Sequence, residues 1–308
     1  MTRKMLAVML GFLTTFALLT SLQARSSVEY KIQNPPAEQP VTPLAPLAEQ
    51  PVAPPRPVVP EFINFPVQGQ WERGTNFYAD VLNHSKTRPL YFDNRDTDAH
   101  ENTHLIDASI RNDIVISTNF KRNVEAFYVG GDRAVVVDQP NLKLLQVAEF
   151  VPAKLREGRF RTYLHTQPTT QPILNGMPLY VWYEWNGYVN GSTVTVEDAE
   201  AGRPNPLGKN DCVFANVEFM VYSMALGMAV EQHDPEYFQT NTQFKNFLVW
   251  QAHRSMAIYH RGYRFPDLQW NPEYINELRT GPGGRTIREF MERSLGIDVN
   301  RLLTEGQL

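Results

Sequence analysis

The chain has 308 residues, of which 33 are acidic and 29 basic, giving a formal net charge of −4. Because its lysines and arginines form no long cluster, this balance argues against nucleic acid as the main partner. Cys212 is the only cysteine, which excludes an intramolecular disulfide, so stability must come from a packed core and any bound metal.

Residues 1–24 have the composition of a secretory signal peptide. Arg3 and Lys4 precede an apolar run over residues 5–19, and Ala24 closes a short segment suited to cleavage. We expect export to the periplasm or the cell exterior. An uncleaved anchor is the alternative, because a membrane span needs about 20 residues. No second hydrophobic stretch of membrane length is evident, so no membrane span is expected after cleavage.

A proline-rich segment follows the signal. Residues 35–66 contain 11 of the 23 prolines, interleaved with Ala, Val, Glu and Gln. Proline removes backbone donors and favours an extended, partly stiff conformation. We therefore interpret residues 25–66 as a disordered linker and residues 67–308 as one folded domain, which is long enough to bury a substantial core.

The first expected elements of the domain are a short helix over residues 76–82 and a strand over residues 89–92. The next segment contains His100-Glu101-Asn102-Thr103-His104, a His-Glu-x-x-His string. Apolar residues recur at helical spacing over residues 97–112, without Pro or Gly, which predicts an amphipathic helix.

The spacing in this string suits a zinc hydrolase. Two histidines four residues apart lie about one turn apart on one helix face, so both imidazoles can reach one metal ion. Glu101 points about 100° away from His100, where it can act as a general base towards a metal-activated water. The structural alternative is a polar helix whose two histidines face solvent or a carboxylate.

Further along the chain, residues 113–117 are expected to be extended. Residues 124–129 and 133–138 are apolar runs around Gly130-Gly131-Asp132, a pattern that predicts a β-hairpin. Its edge strand is either plain scaffold or a binding edge for a substrate backbone.

The remaining pattern is mainly helical, so the predicted fold class is α+β with a small sheet. We expect Pro152 to end or kink one helix, and Gly191 to close another. The expected segments are helices over residues 142–156, 179–190, 213–232, 246–259 and 286–303, with loops over residues 192–211 and 262–284.

A catalytic zinc usually has three protein ligands and one open position. Glu184 is the first candidate for the third ligand, because its aromatic neighbours would enclose the carboxylate and strengthen metal binding. Glu218 is the second, since a carboxylate in the most apolar helix is costly unless it meets a metal or an arginine. Two other glutamates fit less well, because Glu125 lies on a predicted strand and Glu149 lies on a solvated helix face.

Other residues have candidate supporting roles. Tyr188, one turn after Glu184, is the predicted donor to the oxyanion that forms when an amide carbonyl is attacked, with Tyr183 or His165 as alternatives. Asp107 lies almost one turn beyond His104, a position suited to hydrogen bonding with an imidazole.

The string HENTH, followed by a helix-borne glutamate, resembles the gluzincin branch of the zincin metallopeptidases. HENTHLID, with Asp107 three residues after the second histidine, is also similar to the anthrax lethal factor-like group. The resemblance covers the motif helix and, loosely, residues 183–188. It implies a zincin-like catalytic domain, with zinc bound by His100, His104 and a later glutamate, and Glu101 as general base.

The chain departs from that family at one point. The usual Glu-x-x-x-Asp arrangement is absent, since Tyr188 follows Glu184 by four residues and Tyr222 follows Glu218 in the same way. The sequence therefore leaves open whether Glu184 or Glu218 is the third ligand.

The favoured hypothesis is an exported zinc metallopeptidase that acts on proteins or peptides. A cell-wall-directed zinc hydrolase would suit export and a tether equally well. A third hypothesis is a non-catalytic envelope binding protein with a zincin-like fold.

Overall fold

A computed structural model describes residues 59–92, 94–203 and 209–305. The predicted signal peptide and most of the predicted linker lie outside these residues. The described chain is mainly helical with one small antiparallel sheet, as the sequence predicts. The strands are β1 (Ile63–Asn64), β2 (Val124–Gly130) and β3 (Arg133–Asp138). The helices are α1 (Phe77–His84), α2 (Arg95–Ser117), α3 (Leu144–Phe150), α4 (Gly158–Arg161), α5 (Gln167–Thr170), α6 (Pro172–Asn175), α7 (Tyr180–Glu200), α8 (Cys212–His233), α9 (Pro235–Thr240), α10 (Thr242–Gly262), α11 (Pro272–Arg279), α12 (Arg285–Leu295) and α13 (Val299–Glu305).

The sheet has the order β1-β3-β2. The predicted hairpin is confirmed, with Tyr128 opposite Ala134 and a turn in which Gly130, Gly131 and Asp132 all have positive φ. At the other edge, Ile63 of β1 pairs with Ala134. The hairpin thus forms because glycine and aspartate tolerate the left-handed backbone that its tight turn requires.

The folded part begins earlier than residue 67. β1 lies within the segment that the sequence assigned to the linker, and Phe65 is buried in the same core cluster as Tyr78 and Ile106. The prediction of disorder up to residue 66 was therefore wrong for these last residues, which add a short strand to the sheet.

Two predicted extended segments near the motif are not strands. Residues 113–117 continue α2, and residues 89–92 have no strand partner. Instead, the Asn102 side-chain amide accepts from Leu90 N at 2.9 Å and donates to Leu90 O at 2.8 Å. The Asn102 side chain thus bonds the backbone N–H and C=O of Leu90, which a neighbouring strand would otherwise bond.

The helix containing Glu184 is longer than predicted. Gly191 does not end it, and α7 runs on through the predicted loop to Glu200. A Cβ atom on Gly191 would lie 2.8 Å from the Asp96 carbonyl oxygen. This glycine therefore serves close packing between α2 and α7 and is not a helix cap.

α8 is the central helix, and all but four of its residues are buried. It is also long and apolar enough to span a membrane, contrary to the expectation that no second stretch reaches that length, but 94% of the relevant window is buried inside the fold. Its apolar surface is used in packing against α7, α10 and α3.

The other long helices follow the sequence with altered boundaries. α3 ends before Pro152, as expected, and α10 extends the helix predicted over residues 246–259. The helix predicted over residues 286–303 is divided at Gly296, which has φ of 66° and ends α12. The predicted loop over residues 262–284 contains α11.

Candidate metal centre

α2 carries the His-Glu-x-x-His string near its N-terminus. Asn94 caps the helix by accepting a hydrogen bond from Thr97 N at 3.2 Å. The Nε2 atoms of His100 and His104 lie 3.0 Å apart, and the two rings are perpendicular with centroids 4.6 Å apart. The imidazoles therefore converge on one point from successive turns.

Glu184 of α7 faces both imidazoles. Its Oε2 lies 3.6 Å from His100 Nε2 and 3.7 Å from His104 Nε2. One ligand atom from each of the three residues falls within 4.8 Å of the others, the only such group found in residues 59–92, 94–203 and 209–305. The structure thus brings together the first-ranked ligand set.

The electrostatics of this group favour a positive charge beside Glu184. Burial raises the pKa of Glu184, but the charge of His104 and the closeness of both imidazoles outweigh burial and hold that pKa well below its usual range. Burial lowers the pKa of His104, yet the Glu184 charge outweighs this and raises it. A buried carboxylate at this position therefore favours a cation beside it, either a protonated imidazole or a metal ion.

The approach of α7 to the imidazoles depends on Gly187. A Cβ atom at this position would lie 2.9 Å from His104 Cε1 and 3.0 Å from His100 Nε2. Those distances are shorter than normal non-bonded contacts of about 3.5–4.0 Å. The missing side chain at Gly187 therefore lets α7 approach both imidazoles closely.

Tyrosines enclose the centre. The Tyr183 ring stacks on His104 with centroids 4.1 Å apart, while the Tyr188 ring meets His100 edge-on at 4.5 Å. Tyr183 also donates a hydrogen bond from its hydroxyl to the His104 carbonyl at 3.0 Å. The Tyr183 hydroxyl is thus already bonded to the α2 backbone. Of the two tyrosines, Tyr188 is therefore the better candidate for the oxyanion donor. The alternative His165 is exposed.

Glu218 lies outside the ligand group. Its carboxylate accepts from Arg159 Nη1 at 3.1 Å and from the Tyr222 hydroxyl at 2.6 Å. Glu125 likewise pairs with Arg111 at 3.0 Å, and Glu149 is exposed. Of the four candidate glutamates, only Glu184 faces the two imidazoles. Glu218 and Glu125 are paired with arginines, and Glu149 faces solvent.

The edge of the hairpin is closed beside the centre. Asp107 accepts a hydrogen bond from Tyr128 N at 2.6 Å, and the side-chain amides of Asn186 and Asn190 donate to Tyr128 O at 3.0 and 2.9 Å. Asp107 also accepts from Asn186 at 2.9 Å. The backbone N–H and C=O of Tyr128 are thus already bonded to side chains and cannot pair with a substrate backbone. At Tyr128, β2 therefore has a structural role and does not serve as a binding edge.

Sequence reasoning missed Gly187, Asn190 and Arg159. Gly187 and Gly191 stand four residues apart in a segment otherwise typical of a helix. This spacing places both on one helix face and was the available signal for close helix packing. Asn190 and Arg159 gave no comparable signal, because their partners come from distant parts of the chain.

Comparisons of the chain with protein families, with characterised proteins and with solved structures found no match. Any assignment of function therefore depends on the geometry and chemistry of the site itself.

Proposed function

We propose that this protein is an exported zinc-dependent metallopeptidase with a zincin-like, gluzincin-type catalytic domain. The observation that supports this most directly is the convergence of His100, His104 and Glu184 within 4.8 Å, with Glu101 adjacent on the same helix. Two imidazoles and one carboxylate form a ligand set typical of catalytic zinc in peptidases. Export is proposed from the signal-like composition of residues 1–24 alone.

The residues present fit zinc in two respects. Two nitrogen donors and one oxygen donor leave a fourth coordination position open for catalysis. The space beside Gly187, which a methyl group would fill, lies next to both imidazoles. A bound zinc ion would supply Lewis acidity and a water molecule activated at neutral pH.

The protein side chains have separate roles in this proposal. Glu101 takes the proton from the attacking water and transfers it to the leaving amine. Tyr188 donates a hydrogen bond to the oxyanion of the attacked peptide carbonyl. Tyr183 holds the His104 ring by stacking and the α2 backbone by its hydrogen bond.

Metal content and peptidase activity of the purified full-length chain test this proposal. We expect about one zinc per chain, and we expect Glu101→Gln to retain zinc while losing hydrolysis of a casein or mixed peptide substrate. Glu149→Gln is the matched control, because Glu149 is exposed and lies on α3.

The outcomes separate the competing hypotheses. Zinc binding without Glu101-dependent hydrolysis of any protein, peptide or cell-wall substrate would favour a non-catalytic binding protein. Hydrolysis of cross-linked cell wall but not of peptides would favour the cell-wall hydrolase. Full activity of Glu101→Gln would refute the mechanism.

A further inference from the structure

Arg159 contacts Tyr188, whose ring lies against His100. Its Nε donates a hydrogen bond to the Tyr188 hydroxyl oxygen at 3.2 Å, and the Tyr188 ring meets His100 edge-on at 4.5 Å. Arg159 belongs to α4, which is distant in sequence from both ligand-bearing helices. A separate element of the chain therefore holds the predicted oxyanion donor.

Arg159 is itself fixed in place by two carboxylates. Its Nη1 donates to Glu218 at 3.1 Å, its Nη2 donates to Asp211 at 2.9 Å, and its backbone N donates to Glu218 at 3.3 Å. Glu218 is fully buried and also accepts from Tyr222 at 2.6 Å. Because both terminal nitrogens are engaged, the planar guanidinium has one orientation, and Nε points at Tyr188.

A second donor comes from the same segment. Tyr163 stands four residues after Arg159, on the π-helical turn Thr162–Thr166 that directly continues α4. Burial raises the pKa of Tyr163, so its hydroxyl keeps a proton that it can donate to the neighbouring Tyr188 hydroxyl. π-helical turns occur frequently at functional sites.

These contacts determine which way the Tyr188 proton points. A phenolic oxygen has two acceptor positions and one proton. With N–H of Arg159 and O–H of Tyr163 directed at the acceptor positions, the Tyr188 proton is left to donate elsewhere. Among the residues that the structure describes, the Tyr188 hydroxyl donates no hydrogen bond.

We propose that Arg159 is a positioning residue, assisted by Tyr163, that orients the Tyr188 hydroxyl so that its proton is available to the substrate oxyanion at the zinc centre. This inference rests on the proposed peptidase function. It also gives a role to Glu218, a carboxylate in the most buried helix that lies outside the ligand group: Glu218 anchors the guanidinium.

Arg159→Lys and Tyr163→Phe test the proposal in the full-length chain. Lysine keeps a positive charge near Glu218 but lacks the planar fork that engages three partners at once. Removing one oxyanion donor typically lowers kcat by about 100-fold or more, so we expect such a loss for Tyr188→Phe. For Arg159→Lys we expect a loss of about tenfold in kcat, with KM and zinc content unchanged.

A double-mutant cycle supplies the decisive comparison. In a Tyr188→Phe background, Arg159→Lys and Tyr163→Phe should have no further effect on kcat, because the hydroxyl that they orient is absent. Tyr274→Phe is the matched control for Tyr163→Phe, since Tyr274 is a buried tyrosine whose hydroxyl donates to Leu155 O. Independent, multiplicative losses in the double variants would overturn the proposal.

A spectroscopic readout is independent of turnover. The ultraviolet resonance Raman doublet of tyrosine reports whether a hydroxyl mainly accepts or donates. In the difference spectrum between the wild-type protein and Tyr188→Phe, we expect an accepting hydroxyl, and Arg159→Lys should remove that signature. An unchanged signature in Arg159→Lys would also overturn the proposal.

These results distinguish the two levels of inference. If the wild-type protein binds no zinc or hydrolyses no substrate, the peptidase function fails, and the positioning role fails with it. If the wild-type protein is active and Tyr188→Phe retains full kcat, only the positioning role is refuted.

Discussion

Replacing Gly187 by alanine tests how closely α7 must approach the imidazoles. The added Cβ would lie 2.9 Å from His104 Cε1 and 3.0 Å from both Cε1 and Nε2 of His100. Carbon atoms in contact are normally about 3.5–4.0 Å apart, so α7 or the rings must move by roughly half an ångström or more. Both rings already pack against an aromatic neighbour, since His104 stacks on Tyr183 and His100 lies edge-on to Tyr188.

The expected effect falls on metal affinity more than on stability. Zinc–ligand distances tolerate shifts of only about 0.2 Å, and disturbing groups around metal ligands typically lowers affinity by about 10–100-fold. Overpacking costs about 1–3 kcal/mol, but alanine gains about 1 kcal/mol of helix propensity over glycine. We therefore expect a folded Gly187→Ala variant with zinc affinity reduced at least about tenfold.

Competition of the full-length protein with a chromophoric chelator measures this affinity directly. Gly158→Ala is the matched control, because a Cβ at Gly158 would meet no atom within 4 Å. It should bind zinc as tightly as the wild-type protein. Equal zinc affinity for Gly187→Ala and Gly158→Ala, in variants that fold equally well, would refute the view that Gly187 makes room for the metal centre.

Three further predictions follow from individual contacts. Glu184→Gln should lose most zinc affinity in the same chelator assay, whereas Glu218→Gln should retain it, and the reverse result would identify Glu218 as the ligand. In the metal-free protein, the Glu184 charge raises the pKa of His104 against the effect of burial. The resulting stabilisation is present below the unfolded-state pKa of about 6.5 and disappears as pH rises through the raised folded value. Urea unfolding at stepped pH with a chelator should show this alkaline loss, and His104→Gln should lack it. Asn190→Ala should lower the free energy of unfolding by about 1–3 kcal/mol, because it removes a buried hydrogen-bond donor to the Tyr128 carbonyl. Asn246→Ala is the control: it loses only an exposed 3.5 Å hydrogen bond and should change the free energy of unfolding little.

The sequence predicted the local parts of the site well. The motif helix, the hairpin and the central helix depend on periodicity and turn residues within a few positions of each other. Glu184 was placed ahead of Glu218 because of its aromatic neighbours, and two of these, Tyr183 and Tyr188, do lie against the imidazoles.

Long-range side-chain contacts were the part that the sequence could not predict. Asn102 replaces a strand partner for Leu90, so an apolar extended segment lies against a helix without joining a sheet. A glycine after a helical segment usually indicates a helix end, as was predicted for Gly191. Only its closeness to the Asp96 carbonyl shows that Gly191 allows α2 and α7 to pack closely. Such contacts depend on which elements meet in space, which periodicity alone does not specify.

The partner of the buried Glu218 carboxylate was predicted only as one of two alternatives. A carboxylate in an apolar helix requires a metal or an arginine, and the sequence offered both alternatives for Glu218. The structure shows the arginine, Arg159, which precedes Glu218 by 59 residues. In the sequence alone, nothing connects these two positions.

Anomalous X-ray diffraction from crystals of the protein grown with zinc would locate the metal ion itself. We expect one zinc peak about 2.0–2.2 Å from His100 Nε2, His104 Nε2 and a carboxylate oxygen of Glu184, next to Gly187. A zinc-saturated crystal whose anomalous peak lies elsewhere, or touches the two histidines but not Glu184, would contradict it.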